Sequence, residues 1–312
     1  MNAFARVLSQ PTCAREVRER LADATLVGNP DRPIRAIGAL SSRAADVLAF
    51  CDAPATRERL AGSSASVVIV PKGDASHDSE RTLIGVGDVR AAFIDLVGAL
   101  LPGSARPVDP APGVDPRANI DESAAISPFA CIGADVRIGA RTRIAPGAVV
   151  YDDTVIGADC VVGANTVIGW VGLAYHDRVD GRRSFFPHLG GVRIADRVDV
   201  GAQACICRGM LSHTLIGDDV KIGSLVYVSH GVVVESRAWV SAGTAIAGHA
   251  AIEAAALLGI GAVVVDNVAI GANAMVAGGA VVTRSARAAA RLQGVPAQPV
   301  AAMRRFGPTP RD

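Results

Sequence analysis

Nine aliphatic residues stand six apart without a break: Ile120, Ile126, Ile132, Ile138, Ile144, Val150, Ile156, Val162 and Ile168. A period of six, often with Gly or Ala at the next position, matches neither the 3.6-residue turn of an α-helix nor the two-residue alternation of a simple strand. It is the pattern of a parallel β-helix, in which short strands stack coil upon coil. The beat pauses after Gly169, returns at Ile194, Val200 and Ile206, pauses again around 208–215, and then runs from Ile216 to Val282. At three hexads per triangular coil this gives about eight coils and a prism roughly 38 Å tall at a strand spacing of ~4.8 Å.

In such a prism each aliphatic points inward and packs on the residue 18 positions away, so a slender core is buried continuously although no single coil could bury its own. The 4% aromatic content fits an interior too narrow for many rings. A formal net charge of +1 argues against a nucleic-acid binder held by phosphate attraction. Half the residues are hydrophobic, yet no run of 18 apolar residues occurs, so a membrane span is not expected. Met1 to Arg20 carries charges among its apolar residues and does not read as a secretory signal. The six cysteines match no zinc spacing and read as reduced and structural, and no metal site is expected.

Four segments follow. Residues 1–101 read as a small α/β domain, with buried strands at 66–70 and 82–86 and a helix N-capped by Asp88 that runs to about Leu101. Residues 102–116, with five prolines, read as a linker. The repeat occupies 117–283 with an insertion at 170–191, too long for a turn and expected to fold back over one face of the prism to build a binding site. Residues 284–312 read as a short C-terminal helix and tail, from their Ala and Arg content and the Gly294-Val295-Pro296 stop.

Of six histidines, His77 lies in a charged loop, and His176 and His188 flank the long insertion. His230 stands two positions past the aliphatic Val228, so its side chain is expected to project outward near a corner, where a neutral imidazole can take a proton from an attacking amine or hydroxyl. Eighteen residues on, one coil later, lies Gly248, whose backbone N–H is open to the close approach that stabilising a tetrahedral oxyanion requires. His249 lies beside it, with Asn267 as its own neighbour one coil further, and this polar column could border the same cleft or be no more than a solvated corner.

The chain resembles the UDP-3-O-(3-hydroxyacyl)glucosamine N-acyltransferases of lipid A biosynthesis, a family within the hexapeptide-repeat acyltransferases. The resemblance rests on Phe50 with Arg57-Glu58-Arg59-Leu60, the insertion around Tyr175 to Pro187, and the run Val198-Asp199-Val200-Gly201-Ala202. It continues through Arg208-Gly209, Thr214-Leu215-Ile216-Gly217, Val228-Ser229-His230, and Gly294-Val295-Pro296-Ala297-Gln298-Pro299. It implies a mainly β fold, a left-handed parallel β-helix, against the usual right-handed crossover, with a small N-terminal nucleotide-sugar-binding-type α/β domain. It also implies a cytoplasmic homotrimer with sites between neighbouring prisms.

By the same resemblance His230 is the general base and the Gly248 amide the oxyanion donor. Phe50 would stack on the uracil of a UDP-amino sugar, and Tyr175, His249 and Asn267 would line the substrate site. The acyl donor would be the phosphopantetheine thioester of acyl carrier protein, attacked directly by the sugar amine without a bound cofactor. The chain departs from the family at Ala53 and Thr56, at Gly223, where a carboxylate commonly precedes the histidine by seven residues, at Cys207 and at Asn267. Two further readings stay open: transfer from coenzyme A to another nucleotide-linked amino sugar, and a non-catalytic trimeric scaffold.

Overall fold

A computed structural model describes all residues except 1–3, 53–59, 61, 76–80, 104–106, 296–297 and 300–312. Ala53, Thr56, Arg57-Glu58-Arg59, His77 and Pro296-Ala297 therefore lie outside the described residues. The chain divides into two compact units, Met1–Asp109 with Trp170–Gly191 and Arg208–Thr214, and Pro110–Gly169 with Val192–Cys207 and Leu215–Asp312.

The first unit is built on a six-stranded sheet. Its elements are β1 (Ala5–Cys13), α1 (Ala14–Glu19), β2 (Thr25–Val27), β3 (Pro33–Gly38), β4 (Val47–Phe50), β5 (Val67–Pro71), β6 (Thr82–Val86) and α2 (Val89–Leu100). The strand order is β1-β3-β4-β5-β6-β2; β3 to β6 run parallel and the two edge strands antiparallel. Strands β4 and β5 are near-continuous runs of buried aliphatics, as expected where both faces of a parallel sheet are covered. Asp88 caps α2 as expected, its carboxylate accepting the Ala91 N–H at 3.0 Å.

The insertion at 170–191 joins this unit. Its strands Tyr175–Asp177 and Arg183–Phe185 pair as an antiparallel hairpin, and Phe186 enters the core with Phe50 and Phe93 at ring separations of 5.7 and 5.8 Å. This gives the segment a structural reason for its length: it supplies core to the α/β unit.

The second unit is the parallel β-solenoid that the six-residue period implies. Strands of two or three residues stack into three sheets of nine, eight and ten strands, and the parallel partners of a strand lie one coil away. The inward column of one face, Ile132, Val150, Ile168, Ile206, Val228, Ile246, Val264 and Val282, is no more than 2% exposed anywhere. Most hexads also bury a second residue two positions earlier, such as Ala148, Val226 or Ala262. Where that residue is Thr142, its hydroxyl donates to the Gly157 carbonyl at 2.7 Å and accepts the Cys160 N–H at 3.0 Å, so the buried oxygen is satisfied. Glycine after the aliphatic has a steric cause: a methyl at Gly139 would lie 2.7 Å from the backbone of Gly157 one coil on.

The solenoid also extends beyond the period read from the sequence. Gly113–Val114 pairs with Cys131–Ile132 as a first rung. The C-terminal helix expected at 284–292 is absent. This stretch is a last coil shortened to 16 residues, with Ala286 bridging to Ile270 and Arg291–Leu292 pairing with Met275–Val276. Alanine and arginine favour a helix, but the free edge of the previous coil offers a row of backbone partners. Met275 and Ala277 donate to the carbonyls of Ala290 and Leu292, both at 2.8 Å.

Candidate active site

The corner after the strand Tyr227–Val228 holds the candidate residue His230. Val228 is fully buried, and Ser229 and His230 turn the chain out of the strand. The next residue, Gly231, has φ +67°, and its equivalents on the following coils, His249 and Asn267, have φ +58° and +60°. These three coils turn here through the left-handed region, which fixes the direction in which His249 and Asn267 leave the backbone.

The coil spacing brings His230, Gly248, His249 and Asn267 together on three successive coils. His249 N–H donates to the His230 carbonyl at 3.0 Å, and Asn267 N–H donates to the Gly248 carbonyl at 2.9 Å. The two imidazoles meet edge to face, with centroids 5.1 Å apart and planes at 80°. A methyl built on Gly248 would lie 2.6 Å from His230 Nε2, 2.9 Å from its Cε1 and 3.0 Å from Asp266 Oδ1. A side chain at this position would displace the imidazole or the carboxylate, because both close on the same Cα.

Three residues of this corner escaped the sequence reading. Asp266, one coil beyond Gly248, accepts the Gly248 N–H at 2.8 Å, so the amide assigned to an oxyanion is engaged by a carboxylate. The 18-residue rule that linked His230 to Gly248 also reaches Asp266, and one more step of it would have found the contact. Ser229 Oγ lies 3.2 Å from His230 Nδ1, and Tyr227 OH donates to that oxygen at 3.5 Å. Nothing in the period marks these two. Cys207, buried, lies 3.6 Å from the Tyr227 hydroxyl, whose pKa burial pushes up to about 12.

In the tautomer that donates Nδ1–H to Ser229, Nε2 is the basic nitrogen of the ring, on the side of Gly248. A carboxylate seven residues before His230 has no place on this backbone: a methyl at Gly223 would stand 2.6 Å from the Ala242 nitrogen. Partial burial lowers the His230 pKa and His249 lowers it further, while Asp266 opposes both. Burial likewise lowers His249, again against Asp266. Both shifts favour the neutral ring, the form in which an imidazole accepts a proton.

The remaining expected site residues belong to the first unit. Phe50 is half-buried and packs on Phe93 at 4.7 Å, and Tyr175 is exposed on the hairpin, edge-on to Phe185 at 5.6 Å. Tyr175 lines a shallow hollow of about 430 Å³ with Leu173, Asp177 and Arg183. The other described histidines are structural. His176 Nε2 meets the Asp88 carboxylate at 2.8 Å, His188 Nδ1 meets the Phe186 carbonyl at 3.0 Å, and His213 Nδ1 accepts the Gly191 N–H at 2.9 Å. Among the described residues no three His, Cys, Asp or Glu side chains are grouped as metal ligands, and no helix is long and apolar enough to cross a membrane.

Known proteins match this arrangement in pieces. A model of the bacterial transferase hexapeptide (six repeats) matches residues 138–169, and one of the hexapeptide repeat of succinyl-transferase matches 214–247. UDP-3-O-acylglucosamine N-acyltransferase of Shewanella denitrificans is 40% identical over 62 residues, 20% of this chain and 18% of that protein. The enzyme of the same name from Delftia acidovorans is 44% identical over 64 residues, 20% and 19% of the two chains. Each match thus spans about a fifth of the relative's length. Among solved structures, Francisella novicida UDP-N-acetylglucosamine acyltransferase superposes with a TM-score of 0.55 at 25% identity, over 60% of this chain and 67% of that one. The Campylobacter jejuni protein of that name, at 22% identity and a TM-score of 0.50 over 60% and 74%, shares the fold. Residues 138–169 and 214–247 are thus similar to hexapeptide repeats of transferases, and the stretches shared with curated relatives are similar to parts of UDP-3-O-acylglucosamine N-acyltransferases.

Proposed function

We propose that the chain transfers a 3-hydroxyacyl group from the phosphopantetheine thioester of acyl carrier protein to the 2-amino group of UDP-3-O-acylglucosamine, in lipid A biosynthesis in the cytoplasm. The observation that carries this reading is the convergence of His230 Nε2 on Gly248, one coil away. The relatives' names support the substrate class. His230 takes a proton from the amine as its nitrogen attacks the thioester carbonyl, and the Gly248 N–H, once Asp266 withdraws, steadies the oxyanion. Collapse expels the thiolate, which recovers the proton from His230. Phe50 and Tyr175 remain the residues proposed for uracil and substrate contact, with His249 and Asn267 beside the base.

Assembly as a homotrimer is part of the proposal. It is supported by a solenoid face whose outward positions, Val149, Val167, Tyr227, Ala245, Val263 and Val281 among them, include no charge. A sheet face of this kind is suited to cover by another copy.

The test is mass-spectrometric detection of N-acylated product from UDP-3-O-acylglucosamine offered with 3-hydroxyacyl carrier protein or with acyl-coenzyme A. Product from the carrier protein alone is expected. Product only from coenzyme A would replace the donor, and product from neither would overturn the proposal. Light scattering checks the trimer.

A further inference from the structure

Asp266 stands at the one backbone donor that an oxyanion would need, with its Oδ1 2.8 Å from the Gly248 nitrogen. It shares the space above the Gly248 Cα with His230 Nε2, and it is exposed on its own coil, so its side chain is free to turn. Resting on acyl transfer by His230, we propose that Asp266 selects an amine over a hydroxyl as the acyl acceptor, by releasing Gly248 only to an acceptor that offers a second N–H.

The selection follows from counting protons. A neutral amine carries two: one for His230 and one that donates to Asp266, drawing the carboxylate off the Gly248 N–H and opening that donor to the thioester oxygen. A hydroxyl carries one, which His230 must take. Asp266 then has nothing to exchange for its bond to Gly248, and its negative charge stays beside the developing oxyanion. In the productive reaction the bond from nitrogen to acyl carbon forms and the carbon–sulfur bond breaks. The proton held by His230 passes to the departing thiolate, and the other remains as the amide N–H facing Asp266. The carboxylate also favours the transient imidazolium, as its raising effect on His230 and His249 indicates.

The experiment compares wild type, Asp266→Asn and Asp266→Gly on UDP-3-O-acylglucosamine and on its analogue with a 2-hydroxyl, with 3-hydroxyacyl carrier protein as donor. Asn keeps an oxygen for the Gly248 N–H but loses the charge, and Gly removes the side chain. Both variants are expected to lose about tenfold or more in kcat/KM for the amine, while the rate on the hydroxyl analogue holds or rises. Calorimetry of the two nucleotide sugars without donor gives the second readout: wild type favours the amine and Asp266→Asn binds both alike. An amine preference as large in the variants as in wild type overturns the role of Asp266 and leaves acyl transfer standing. A binding preference that depends on Asp266, with no turnover on any donor, overturns acyl transfer instead. No binding of either sugar overturns both.

Discussion

Val228 and His230 stand two residues apart and obey different rules. Val228 belongs to a column in which every neighbour, Ile206 below and Ile246 above, is a buried aliphatic of similar size. His230 belongs to a column that runs on through Gly248 to Asp266 with a different chemical group on each coil. In the inward column the contact is non-directional and proportional to area, so Ile, Val and Leu substitute for one another and the period survives. In the corner column each contact is a directed hydrogen bond or a close approach, so each residue is particular to its coil. Stability and chemistry are thus placed side by side on one scaffold, and substitutions in the two columns separate them.

The largest expected effect lies in the inward column. Ile246→Ala removes a fully buried side chain from the middle of the stack and is expected to cost about 2–5 kcal/mol, read as a lower urea midpoint. Because the stack carries the corner, turnover should fall in step with the folded fraction and by no more.

Gly248→Ala is the converse. Its new methyl falls within 3.0 Å of both His230 and Asp266. The expected result is a drop in kcat of about tenfold to a hundredfold from the displaced base, with the unfolding midpoint nearly unchanged because both side chains reach solvent and can give way. A midpoint lowered as far as in Ile246→Ala would erase the distinction between the columns.

A smaller effect tests the tautomer. Ser229→Ala removes the partner of His230 Nδ1 and is expected to lower kcat several-fold while leaving KM alone, as expected when an orienting hydrogen bond is lost.

The pH dependence is the finest test. His230 and His249 have folded pKa values below the ordinary 6.5, chiefly through burial. The unfolded chain therefore binds more protons as pH falls through that value, and folding stability is fully present above it and declines below it. The same shift keeps the base neutral, so the acid limb of the kcat/KM profile should have its midpoint below 6.5. A midpoint above it would place a stronger anionic partner on the imidazole than Asp266.

How far the sequence could be read follows the same division. The inward column could be read without structure because one residue type recurs at one spacing. The register it gives set Gly248 beside His230 and Asn267 beside His249. The rule failed where the coil length changed: the 16-residue last coil moves Leu292 out of step, and its alanines and arginines then suggest a helix. It was silent on Ser229, whose hydroxyl meets His230 through a local turn, and on the insertion, whose Phe186 answers to the packing of the α/β unit. Asp266 lay within the rule's reach but is visible as a contact only once its carboxylate is seen to turn back on Gly248.

The most direct test of the central claim is His230→Ala, with turnover and unfolding measured on the same preparation. The expected result is a loss of at least about a hundredfold in kcat, equivalent to about 2.7 kcal/mol of barrier, with the urea midpoint held near that of wild type. Acyl transfer at the wild-type rate by a folded His230→Ala protein would contradict the account.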